Sequence, residues 1–166
     1  MDSSEEKKLT VAKLSKGSMR LDNQLCFPLY ATSRRMTKLY SFFLDPIGLT
    51  YPQYLVLLVL WERDPRTVTE ICAELQLNTN TLTPLLKRLE QMELVWRQRH
   101  EGDERVVEIH LTEAGKAKRE ECQEVPNQMG EAIQLDWDSA NQLRELIDDL
   151  NLKLTNAISR QENTEP

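Results

Sequence analysis

Apolar side chains recur with a helical period over most of this chain, and with a strand's alternation in one place only. Residues 21–45 put Leu25, Leu29, Met36, Leu39, Tyr40 and Phe43 on one stripe, with Asp22 and Asn23 as candidate N-caps. Pro28 suits the first turn of a helix but not its interior, so regular helix is expected to begin near Cys26 or to bend there. "DPIGLT" breaks the pattern. Thr50-Tyr-Pro-Gln53 reads as a capping box for YPQYLVLLVLWE, a segment apolar nearly all round and therefore a central buried helix. Thr67-Val-Thr-Glu70 is a second capping box, opening a short helix with Ile71, Cys72 and Leu75 inward. After a tight turn at "QLN", another helix carries Leu82, Leu85, Leu86, Leu89 and Met92 on one face. Its opposite face shows Thr79, Asn80, Thr81, Thr83, Lys87 and Arg88, and Pro84 stands close to its start. Val95–Arg99 and Arg105–Leu111 alternate around the polar turn "HEGDE", which predicts a β-hairpin. Thr112 caps a helix expected to stop at Pro126. A last helix, starting near Asp136–Asp138, carries Leu143, Leu146, Ile147, Leu150, Leu154 and Ile158 at 3/4 spacing. The predicted order is four helices, a hairpin and two helices: mainly α with a small β-hairpin wing, an α+β chain.

The stripes on the first and last helices have no obvious partner within this order, and a second subunit would supply one. Composition adds little. A hydrophobic share of 40% and a charged share of 29% are ordinary for a globular protein of 166 residues, which is enough for one sizeable core. The longest apolar run, Tyr54–Trp61, is far too short for a membrane span, so no membrane role is expected. The first 20 residues have no apolar signal core and read as a loose leader, which makes a cytoplasmic location the expectation. Three cysteines without framework spacing argue against a disulfide scaffold, and no CxxC or His/Cys cluster offers a zinc site. His100 and His110 flank the hairpin turn, where a solvated role is the default.

Charge changes the picture more. The net charge of −6 is wrong for a nucleic-acid binder as a sum, but not as a distribution. Residues 120–166 hold 11 acids and 3 bases, and the rest of the chain is at +2. The acidic third should therefore face away from a polyanion. A short helix, a tight turn and a polar-faced helix make a helix-turn-helix, and a hairpin directly after it makes it winged. The second helix can enter the major groove, where Thr79, Asn80, Thr81, Thr83, Lys87 and Arg88 could read base edges or hold phosphates. The hairpin would reach the adjacent minor groove with Arg105 at its tip, Asp103 close enough to orient it, and Arg97 and Arg99 on its first strand. A solvated helical hairpin is the plain alternative, because the hairpin also holds Glu101, Asp103, Glu104 and Glu108.

"DERVVEIHLTEAG" resembles the wing signature of the MarR family of winged-helix repressors, in its Asp103, Arg105, Leu111, Thr112 and Gly115. "NTLTPLLKRLE" resembles the recognition helix of one branch. The resemblance covers about residues 20–155. It implies a leader over 1–20, a MarR-type winged-helix domain over 21–160 and a tail over 161–166. Within that domain it implies a DNA-binding winged helix-turn-helix over 49–112, with dimerisation helices over 21–48 and 113–160. It also implies a homodimer with one wing per subunit, reading a pseudo-palindromic double-stranded operator.

Cys26 and Tyr40 lie on one helical face, about 21 Å apart along the axis. On its own, a cysteine on an apolar helix face reads as a small buried hydrophobe, and Tyr40 and Tyr51 as core aromatics. "LDNQLCFPLYATSRRMTKLY…LDPIGLTYPQYLVLLVLWE" is similar, however, to the OhrR branch of the MarR family, the repressors that sense organic hydroperoxides. The resemblance places the reactive cysteine on Cys26 and the two hydrogen-bonding tyrosines on Tyr40 and Tyr51, across the dimer from the sulfur. An antiparallel pairing of the first helices would bring Cys26 to Tyr40 of its mate. The implied chemistry is oxidation of Cys26 by an organic hydroperoxide, then a disulfide with a low-molecular-weight thiol or with Cys122 as candidate resolving thiol. Two departures stand out. Pro28 is unexpected after Cys-Phe, and Cys122 lies earlier than a resolving residue would, in a region where Gly130 and its neighbours stand. Cys72 reads as inert core. No cofactor, metal ligand or catalytic residue is expected. The runner-up reading is a repressor of the same family released by a small phenolic or carboxylic ligand; a thiol peroxidase is weaker, because the wing would then have no purpose.

Overall fold

The computed structural model describes residues 19–100 and 102–163; of Asp22, His100, Asp103, Glu104 and Arg105 it describes the backbone alone. The leader expected over 1–20 thus lies outside the described residues except for Met19 and Arg20, and the tail beyond Asn163 lies outside them too. The chain divides into two compact units after Val125. Among the described residues no single helix is long and apolar enough to cross a membrane.

In the first unit, helix α1 spans Cys26–Leu44. It begins as the first of the two expectations had it. Pro28 falls at the third helical position, where a missing N–H leaves no helical bond unmade, and the helix runs on from there. The N-cap falls elsewhere than expected: Leu21–Asn23 form a 3-10 turn, and the N-cap residue is Leu25, without a side-chain bond. Asp45–Ile47 make a second 3-10 turn, ended by Gly48 at φ +80°, a left-handed conformation that glycine adopts without strain. Helix α2 follows at Tyr51–Glu62. The Thr50 N–H donates to Gln53 Oε1 at 2.8 Å, closing the start of α2 from the side chain three residues on. As its all-round apolarity predicts, α2 is the centre of the core, with Val56, Leu57 and Leu60 essentially inaccessible. It packs on α1 and on the elements that follow.

Strand β1 is only Arg66–Thr67, and helix α3 is Val68–Leu75. Thr67 caps α3: Glu70 N–H donates to Thr67 Oγ1 at 3.1 Å, and Thr67 N–H donates to Glu70 Oε2 at 2.7 Å. Gln76, at φ 52°, ends α3 in the left-handed region. Two residues later Asn78 caps helix α4, Thr79–Gln91, its Oδ1 accepting from Thr81 N–H at 2.9 Å. Leu82, Leu86 and Leu89 bury one face of α4; Leu85 is half-buried and Met92 exposed. Pro84 lies inside α4, beyond the first turn, and removes a helical bond there at a cost of about 3 kcal/mol.

Strands β2, Val95–His100, and β3, Asp103–Leu111, form the expected hairpin, with an irregularity between Arg99 and His100. Residues 66–67 pair with β3 as well, giving an antiparallel sheet of order β1-β3-β2. Arg66, Ile109 and Arg97 therefore share one row and one face. Ile109 is inaccessible, Arg66 reaches Glu74 of α3 at 3.8 Å, and Arg97 reaches Glu90 of α4 at 3.3 Å. Two ion pairs thus tie the sheet to both helices of the helix-turn-helix.

Thr112 caps α5, Glu113–Glu121, accepting from Gly115 N–H at 2.9 Å. The helix expected to reach Pro126 stops four residues earlier, and α6, Val125–Ile133, starts anew. The physical reason is Pro126 itself. Its ring would clash with the Cys122 carbonyl in a continuous helix, but it fits the first turn of a new one. Among the described residues three helices, not two, follow the hairpin. In the second unit Asp136 caps α7, Trp137–Glu162, so Gln161 and Glu162 of the expected tail are helical. No residue of α7 is buried, and of its apolar stripe only Leu150 is as much as half-covered.

Candidate nucleic-acid interface and thiol–tyrosine cluster

The turn between α3 and α4 aims a polar helix face outward. Thr79, Asn80, Thr81, Lys87 and Arg88 are exposed there. Thr83 is half-buried, and its hydroxyl donates to the Thr79 carbonyl at 2.7 Å. The Thr81 hydroxyl donates to Asn78 Oδ1 at 2.9 Å. Both threonines retain only acceptor capacity toward an outside partner. Pro84 and Gln91 are exposed on the same face and escaped the sequence reading, although their spacing from Asn80 (four and eleven residues) gives them away.

On the hairpin, Arg99 is exposed, whereas Arg97 is half-buried, with Nε and Nη2 out of solvent and the guanidinium turned to Glu90. The charge expected to face a polyanion at residue 97 is used inside the molecule. The side chains of Asp103 and Arg105 lie outside the described ones; their backbone opens β3, Asp103 opposite His100. His110 departs from its expected solvated role. It stands directly opposite Trp96, stacks on that ring at 4.2 Å between centroids, and holds Nε2 3.5 Å from Glu108 Oε2. The side chain of His100 is not among those described.

Cys26, the first residue of α1, is exposed rather than a buried hydrophobe, and Leu25, Phe27 and Leu29 beside it are exposed apolar groups. Tyr40, fourteen residues on, meets Tyr51 at the start of α2, the rings stacked at 4.4 Å. Burial raises both phenols above their ordinary range, Tyr51 adding to the effect on Tyr40. Both are therefore O–H donors at neutral pH. A third tyrosine extends the cluster: Tyr54 lies 6.1 Å from Tyr40 and meets Trp61 edge-on at 6.2 Å. Burial first, then Tyr40 and Cys122, push Tyr54 up to about 12. The Trp61 indole donates to the Gly115 carbonyl at 2.9 Å, linking the aromatic run to the base of the wing. Sequence reasoning passed over Tyr54 because every neighbour in YPQYLVLLVLWE already reads as core. Cys122 is buried, and burial raises its thiol. Cys72 is half-buried.

A helix-turn-helix completed by an antiparallel hairpin, with its second helix presenting Asn, Thr, Lys and Arg, defines a winged-helix DNA-binding regulator. The family model for the transcriptional regulators SarA/Rot matches residues 38–122. The organic hydroperoxide resistance transcriptional regulator of Bacillus subtilis (strain 168) is 48% identical over 128 residues, covering 77% of this chain and 85% of the relative. Reduced AbfR bound to DNA superposes with a TM-score of 0.71 at 41% identity, over 84% of this chain and 96% of that one. Overoxidized AbfR bound to DNA gives 0.66 at 42% identity, over 80% and 94%. This chain belongs to the MarR family of winged-helix transcriptional regulators, in its OhrR branch. It is a DNA-binding transcriptional regulator, and these relatives are regulators rather than enzymes.

Proposed function

We propose that this regulator is a homodimeric repressor that senses organic hydroperoxides through Cys26 and then leaves its operator. The observation that carries the reading is the Tyr40–Tyr51 stack at 4.4 Å in a chain whose exposed Cys26 opens the same helix as Tyr40. Within one chain the sulfur is about 21 Å of helix away from Tyr40, so the two phenols serve a sulfur only if it comes from the partner subunit. Antiparallel pairing of α1 with its mate, covering exposed Leu29 and Met36, brings it there. Residues 21–48 and 113–160 then form the dimer, residues 49–112 meet DNA, and α4 is the reading helix.

In the reduced dimer the Tyr40 and Tyr51 hydroxyls donate to the sulfur of the other subunit and favour its anion, the nucleophilic form. The thiolate attacks the peroxide oxygen. An S–O bond forms, the O–O bond breaks and an alkoxide leaves, taking a proton from water to become an alcohol, and a sulfenic acid remains. A small thiol then displaces water to give a mixed disulfide. Burial of Cys122 supports a small thiol over Cys122 as the resolving group. The relative AbfR is DNA-bound in its overoxidized form, which favours a bulky disulfide as the releasing state here. The added group parts the tyrosines from the sulfur and strains the α1 pairing, and the reading heads leave operator spacing. A hundred-fold loss of affinity needs only about 2.7 kcal/mol of preference for the DNA-incompetent arrangement. Cys26→Ser should bind operator DNA as tightly as the reduced wild type and ignore cumene hydroperoxide in a gel-shift titration. Release of that variant by the peroxide overturns the proposal.

A further inference from the structure

We propose that Pro84 is a specificity-determining residue, its ring reading the 5-methyl group of a thymine in the major groove; the inference rests on α4 being the reading helix. Three observations carry it. The first is position. At 100° per residue, Pro84 points within roughly 15° of the direction opposite the buried Leu82, Leu86 and Leu89. Asn80, Lys87 and Gln91 share that outward surface within roughly 50°. The second is isolation. Every other exposed residue of α4 is polar, so the proline ring is the one wholly apolar side chain on a surface otherwise made of Thr, Asn, Gln, Glu, Lys and Arg.

The third is that nothing inside the chain accounts for a proline there. It stands beyond the helix's free first-turn amides, since Leu82 N–H already donates to the Asn78 carbonyl at 3.1 Å. The Asn80 carbonyl therefore loses the helical donor that any other residue at 84 would supply. The ring is exposed, so packing returns little of this. A residue that weakens its own helix and covers no core has its use outside the chain. The major groove offers one apolar feature to meet it, the thymine methyl, and an Asn or Lys beside it cannot substitute for apolar contact. Proline also has no side-chain rotamers to freeze on contact, so little entropy opposes the match.

The test is selection of the full reduced chain on a pool of random duplexes, with wild type, Pro84→Ala and Asn80→Ala in parallel. Pro84→Ala restores the amide, and thermal melting checks that it folds at least as well. Wild type should demand thymine at one position of each half-site, and Pro84→Ala should accept other bases there while keeping the remaining preferences. Deoxyuridine in place of that thymine should weaken the wild type about four-fold, the worth of one buried methyl-sized group, and leave Pro84→Ala unaffected. Identical preferences for wild type and Pro84→Ala, or a wild type indifferent to deoxyuridine at every thymine of the half-site, overturn the inference. If Asn80→Ala also leaves every preference unchanged, the assignment of α4 as reading helix falls with it; if Asn80→Ala alone alters them, only the proline contact falls.

Discussion

Tyr40 and Tyr51 are stacked and held protonated by burial, so toward an anionic sulfur they can only donate. Tyr40→Phe removes the donor and keeps the ring. A hydrogen bond to a charged group is worth about 1.5–3 kcal/mol, so losing one should slow Cys26 alkylation by iodoacetamide at pH 7 roughly ten-fold or more. Thr83→Val is the control: its hydroxyl donates to the Thr79 carbonyl at 2.7 Å on α4, away from α1, and should leave the rate alone. Equal rates in all three proteins would remove the tyrosines from the mechanism. Lys87 is a different kind of site, an exposed point charge on α4. If it meets a phosphate in each subunit, Lys87→Ala lowers the slope of log affinity against log salt by about 0.9 per subunit, whatever the base sequence. A loss confined to particular sequences would make it a base reader instead.

Two short motifs decide whether the reading head keeps its shape. Glu70 closes the cap of α3 on Thr67 and meets Arg63 at 2.6 Å. Its hydrogen bonds to Thr67, then the nearby arginines, hold its carboxyl below the usual range. Stability from a lowered acid is present above its ordinary pKa and lost as pH falls through the lowered one. Glu70→Ala should therefore cost about 1 kcal/mol, or roughly 3 °C of melting temperature at pH 7. That gap should close as pH drops below about 4.5. Gly115 has no room for a side chain: a Cβ there would sit 2.0 Å from the Leu94 carbonyl oxygen, which is backbone and cannot swing aside. Gly115→Ala should cost about 3 kcal/mol, seen as a fall of roughly 6–12 °C on thermal melting. Both capping boxes and the alternating hairpin were legible because each is a local pattern. The rest needed partners that local pattern does not name. Strand β1 is too short for alternation to register, and its residues also begin a cap. The break before Pro126 follows from a steric rule, but the apparent helical period around it masks the rule. Arg97 reads as a free cation until Glu90, seven residues earlier and across a turn, is found beside it. The adjacency of Tyr40 and Tyr51 was legible from the short loop between their helices, whereas Tyr54 was concealed by its apolar neighbours.

The acidic C-terminal third lies in sequence away from the helix-turn-helix, and the outward stripes of α1 and α7 are apolar, with Leu29 at 39% and Leu146 at 68% exposure. Such surfaces are ordinarily covered in an assembly. The proposed pairing of α1 can be located to a residue. Cys26 and Tyr40 are equally distant in sequence from Ser33, so a two-fold axis passing beside Ser33 is the one that brings each sulfur to the other chain's Tyr40. Ser33 is exposed, and at 100° per residue it points to the same side of α1 as both. Two serines flanking a two-fold axis lie within reach of each other across paired helices, whose axes are typically about 8–10 Å apart. In a Cys26→Ser background, Ser33→Cys should therefore be joined to its own copy by a short bis-maleimide, giving a covalent dimer on a denaturing gel. Cys26→Ser alone, with only half-buried Cys72 and buried Cys122 left, should not react in this way. A dimer by sedimentation whose Ser33→Cys thiols label singly but never bridge would move the axis away from residue 33. Cys26 would then be carried out of reach of the partner's Tyr40, and the thiol–phenol sensor would lose its geometry while the winged reading head kept its own.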